Sequence, residues 1–142
     1  MIGNEHQYRV SREQLARLQQ ARAGYEVSPH ADALTQAALL ASVDTLIGDV
    51  ETEIADYERL VAGDIAALTG HELTDIAEIL VKARVAAGLS QGELARRLKV
   101  STQAVNRDEA GGYRRASLER LARVAEVLGL QAEITCQLSN AK

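Results

Sequence analysis

Apolar residues recur along this chain at helical spacing almost from end to end. Leu39, Val43, Leu46, Val50, Ile54, Tyr57 and Val61 follow one another every three or four positions, with no proline among them. A long amphipathic helix is therefore predicted from about residue 30–32 to 62, spanning roughly 45 Å at 1.5 Å per residue. A shorter helix precedes it. Ser11-Arg-Glu-Gln14 has the form of a capping box, and Leu15, Ala16, Leu18 and Ala23 carry the pattern to about Gly24, short of residues 25–29. The apolar stripe of the long helix needs a cover, either the first helix folded back as a hairpin or the same helix of a second subunit in a coiled coil. Its other face bears Asp49, Glu51, Glu53, Asp56 and Glu58, an ordinary solvated helix surface.

The pattern changes after Gly63 and Gly70, which bracket a short connector containing Asp64. A boundary is expected near residue 70, with residues 1–70 an N-terminal extension for dimerisation or partner binding and residues 71–142 a second unit. Four short helical patterns follow, at 73–87, 91–98, 102–109 and 118–128. The tail over 131–138, Gln-Ala-Glu-Ile-Thr-Cys-Gln-Leu, alternates polar and apolar residues and reads as one short strand, which would need a partner from a second subunit.

Composition sharpens this to an all-α chain. Of its 142 residues none is Trp or Phe and only one is Pro, while Ala, Leu, Val and Ile supply most of the apolar content. Cys136 is the single cysteine, which excludes an intramolecular disulfide and a CxxC zinc site and fits a reducing cytoplasm. The first residues lack a basic region followed by an apolar run, and no eighteen apolar residues are uninterrupted, so neither export nor membrane insertion is expected. His6, His30 and His71 are widely spaced in expected loops, and neither HExxH nor a Gly-rich phosphate loop occurs, so no catalytic residue, metal or cofactor is expected.

Charge is unevenly placed. The net value is −4, yet residues 1–70 hold five Arg against eleven carboxylates whereas residues 82–123 hold ten basic side chains against four acidic ones. The positive field is local to the C-terminal half, and a ligand meets the local field.

That half also holds the most informative stretch. Gly88 ends one helix, and Ser90 with Glu93 forms a capping box that starts the next. Lys99-Val100-Ser101 turns the chain, with Ser101 as N-cap of a third helix. Leu94, Ala95, Leu98, Val100 and Val105 supply a small core for two helices crossing sharply about a tight turn, which is a helix-turn-helix. The segment resembles the phage-repressor-like (XRE) helix-turn-helix family over roughly residues 73–130. The resemblance is carried by Gly88-Leu89-Ser90-Gln91, Glu93-Leu94-Ala95, Leu98, Val100-Ser101, Val105, Arg107, Glu109, Ser117-Leu118 and Ala125-Glu126-Val127-Leu128-Gly129. The part from Tyr8-Arg9-Val10-Ser11 through the long acidic helix looks like an extension seen ahead of some bacterial members.

The resemblance implies a lambda-repressor-like domain that binds double-stranded DNA. Gln91, at the start of its helix, is implied to contact a phosphate beside unsatisfied backbone N–H groups. With Val105 inward, Thr102, Gln103, Asn106 and Arg107 face outward as base readers, Gln suited to adenine N6 and N7 and Arg to guanine O6 and N7. Ser101 combines capping with a phosphate contact, and Gly111-Gly112-Tyr113-Arg114-Arg115 is a flexible basic loop whose Arg114 and Arg115 lie along the DNA backbone. Arg84 and Glu109 are implied to form an internal ion pair. Two residues depart from the family pattern. Lys99 stands where glycine is usual, and Asp108 stands where a larger apolar residue packs, so that either the helix is turned slightly, or Asp108 meets Arg115 or another base, or the domain is less stable than its relatives. The expected function is a dimeric, sequence-specific regulator acting as a repressor, not an enzyme. A close variant is a HigA-type antitoxin that represses its own operon and neutralises a toxin. The alternative from another class is a protein-interaction module built on the acidic helix.

Overall fold

The computed structural model describes residues 1–27, 32–64 and 68–138; His30 and the connector at 65–67 lie outside them. The fold is all-α. Its elements are α1 (Glu5–Val27), α2 (Ala33–Val61), a 3-10 turn (Leu73–Asp75), α3 (Ile76–Ala86), α4 (Gln91–Leu98), α5 (Thr102–Ala110) and α6 (Leu118–Val127).

The two long helices pair as an antiparallel hairpin, with Tyr8 beside Tyr57 at one end and Arg22 paired to Asp44 toward the other. α1 begins earlier than the capping box at Ser11 suggests. Asn4 is the effective cap, its Oδ1 accepting from Gln7 N at 2.9 Å, and the added turn lets the ring of Tyr8 stack on Tyr57 with centroids 5.1 Å apart. α1 also continues through Gly24, because covering α2 outweighs the weak helix preference of one glycine. Asp32 caps α2, accepting from the backbone of Leu34 and Thr35 at 3.0 Å each. By length and hydropathy α2 is apolar enough to cross a membrane. Here it lies against α1, and the carboxylate of Asp44 in its middle is neutralised by Arg22. Leu39 and Leu46 remain exposed beside the seam.

The remaining helices enclose a core of Leu80, Val81, Leu94, Ala95, Leu98, Val105, Tyr113 and Val124. α3 starts at Ile76, not Leu73, because the carboxylate of Asp75 accepts from the backbone of His71 and Glu72 and draws the first turn tight. A second core ties the hairpin to this head: Ile2, Ile54, Tyr57 and Leu60 close over Val85 of α3.

One expectation is corrected here and another is decided. Residues 131–138 form no strand, and Ile134 and Leu138 are 67% and 98% exposed. Alternation prepares a strand but cannot supply its hydrogen-bond partner, and the described chain offers none. Of the alternatives open for Asp108, the structure has it meeting another base: the Arg120 guanidinium donates to Oδ2 at 3.0 and 3.2 Å, an ion pair between α6 and α5.

Lys99 takes a left-handed conformation, φ 58°, at the end of α4. Lys99→Gly should therefore stabilise the protein by about 1 kcal/mol, read as a higher urea midpoint at unchanged slope. An unchanged midpoint would show that the turn carries no strain.

Candidate nucleic-acid interface

The interface is built from the caps outward. Ser90 Oγ accepts from Glu93 N at 3.2 Å while Glu93 Oε2 accepts from Ser90 N at 2.7 Å, fixing the first turn of α4. The backbone N–H of Ser90, with its hydroxyl, holds the Glu93 carboxyl below the usual carboxylate range. At the turn, Val100 N donates to Ala95 O at 3.0 Å, and Ser101 Oγ caps α5 by accepting from Ala104 N at 3.1 Å.

α5 is amphipathic in the sense its role demands. Val105 is buried, and Thr102, Gln103, Asn106 and Arg107 are exposed. Asn106 is not wholly free, however. Its Nδ2 donates to Gln91 Oε1 at 3.2 Å, and Gln91 Nε2 in turn donates to Glu109 Oε2 at 2.7 Å. The start of α4 is thereby joined to the outward face of α5 through side chains, a link that residue spacing did not reveal.

Glu109 belongs to a larger cluster. Arg84 is 2% exposed and donates from Nε and Nη2 to the two carboxylate oxygens of Glu109 at 2.6 and 2.8 Å. Nη1 reaches Leu89 O at 2.8 Å and Nη2 also reaches Gly3 O at 2.6 Å. The guanidinium thus fastens α3, the α3–α4 turn, α5 and the N-terminal segment together. Gly3 was not singled out from the sequence, since no periodicity or motif marks a lone carbonyl.

The segment after α5 is anchored, which corrects its reading as a flexible loop. Tyr113 adopts φ 53° and is buried in the head core, with its hydroxyl pKa pushed up by that burial. Arg114 and Arg115 flank this anchor and are exposed. Among the described residues, Arg96, Arg97, Lys99, Arg107, Arg114 and Arg115 make no ion pair, whereas Arg120 and Arg84 are consumed by the fold. Six cations outside any ion pair concentrate positive charge on the head, which phosphates need. No cluster of potential metal ligands occurs among the described residues, and Cys136 is exposed and free.

A family model described as helix-turn-helix matches residues 80–134, from within α3 through α6 into the tail. Among curated proteins and solved structures none matches the chain significantly.

Proposed function

We propose that the chain, whose residues 80–134 match a helix-turn-helix family model, is a DNA-binding regulator of the XRE type that acts as a repressor and binds as a homodimer. The α5 helices of the two subunits enter successive major grooves of a palindrome about 34 Å apart. The observation that carries this reading is the outward face of α5, where Thr102, Gln103, Asn106 and Arg107 stand exposed over a buried Val105. Gln103 suits adenine and Arg107 suits guanine by bidentate bonding. Gln91 and Ser101, at helix starts, with Arg114 and Arg115, grip the backbone. The hairpin supports pairing of subunits, because one partner helix leaves Leu39 and Leu46 of α2 uncovered.

The test is fluorescence anisotropy of the full chain at about 150 mM salt, with duplex from upstream of its own gene and with a scrambled duplex. A preference of the order of a thousandfold is expected, with Gln103→Ala and Arg107→Ala each losing about 1–3 kcal/mol of it. Equal, weak binding to both duplexes would defeat the reading. Light scattering of the complex should give two chains per operator.

A second reading is favoured by the exposed Asp49, Glu51, Glu53 and Asp56 of α2. An antitoxin would present such a face to a basic toxin while its head represses the shared operon. Co-purification with the product of an adjacent gene, resistant to nuclease, would distinguish it from a repressor acting alone.

A further inference from the structure

We propose that residues 2–4 and the first turn of α1 form an autoinhibitory strap, which must leave the α4–α5 surface before the head can grip DNA. The inference rests on the reading of Gln91 and Asn106 as DNA-facing. Ile2 is buried among Ile54, Tyr57, Leu60 and Val85. Gly3 O accepts from Arg84 Nη2 at 2.6 Å, and Gly3 N donates to Gln7 Oε1 at 2.8 Å. The seat is tight: a Cβ on Gly3 would stand 3.1 Å from Val81 Cγ1.

Seated there, Gly3, Asn4 and Gln7 form one wall of a cavity of about 240 Å³ whose opposite wall includes Gln91, Asn106 and Glu109. Asn4, Glu5 and His6 also face Gly92 and Thr102 across an adjoining groove. Gln91 and Asn106 line this groove of about 670 Å³ as well, so the strap stands across it from the side chains read as DNA-facing, where a sugar–phosphate chain would run. Charge acts in the same direction. Glu5 stands at the rim of the groove, so a phosphate approaching the start of α4 meets a like charge there. The strap is held by the side chain of Ile2, by Gly3 O on Arg84 and by the Met1 ammonium on Glu53 Oε1 at 2.9 Å, and two of these three holds fall on the hairpin, where a partner can compete for them. Affinity then scales with the fraction of molecules whose strap is open.

Two independent lesions test this in the full chain, Ile2→Asp and Gly3→Val, each checked for helical content. Against the upstream duplex at about 150 mM salt, both should bind at least about tenfold tighter than the unmodified protein, as expected if no more than one molecule in ten is open. Adding the same duplex to unmodified protein should raise deuterium uptake in the peptide covering residues 1–8. Folded variants that bind no tighter, or uptake that stays level or falls, would overturn the strap while leaving the DNA reading intact. If neither the unmodified protein nor the variants bind either duplex, the DNA reading falls and takes the strap with it.

Discussion

Replacing Arg84 with methionine should destabilise the protein by roughly 3–5 kcal/mol, because it strands a buried carboxylate. Arg84 and Glu109 have side chains only 2% and 7% exposed, so water offers little relief to whichever charge is left. The loss also removes the donors to Leu89 O and Gly3 O. Glu109→Leu should cost a similar amount, since it strands the guanidinium and frees Gln91 Nε2 from its acceptor. The double replacement should recover much of the loss, because two apolar side chains of similar volume leave no charge to desolvate. Urea melts of the two singles and the double close the cycle. Whatever folded Arg84→Met protein remains should keep its base preference, as α5 still presents Gln103 and Arg107. A single replacement with unchanged melting but altered base preference would make the pair a DNA contact instead of a strut.

How far the sequence could be read depended on how local each cause was. The starts of α4, α5 and α6 follow from Ser90, Ser101 and Ser117, each of which accepts from the backbone three residues on, and such caps are visible in a few consecutive residues. Val105 inward and Thr102, Gln103, Asn106 and Arg107 outward is likewise a consequence of helical period alone. The start of α1 was not legible, because what selects Asn4 over Ser11 is the stacking of Tyr8 on a ring from the far end of α2. Asp108 called for a base, but only the tertiary placement of α6 decides that Arg120 answers. The chain Glu109–Gln91–Asn106 and the seat of Gly3 on Arg84 depend on elements remote in sequence, and neither leaves a trace in spacing. The tail shows the converse failure, a sound local pattern with nothing beside it to pair with.

Tyr57→Ala should cost about 3 kcal/mol and split a single unfolding transition into two. The ring is buried, stacks on Tyr8 with an interplanar angle of 26°, and lies in the core that joins the hairpin to the head. Burial pushes its hydroxyl pKa up, with the nearby carboxylate of Glu5 acting in the same direction. Truncation removes apolar packing from both helices at once and loosens the first turn of α1. The head core contains no residue of α1 or α2, so it should survive when the hairpin melts. Tyr57→Phe keeps the ring and gives up only the partnership with Glu5, so its cost should stay within about 1 kcal/mol. Hydrogen exchange separates the two units: in Tyr57→Ala, the amide of Ile54 should exchange far faster than those of Val105 and Val124. Uniform acceleration at all three would instead mean that hairpin and head fold as one unit, and that a domain boundary near residue 70, read from two glycines, is a turn within a single domain.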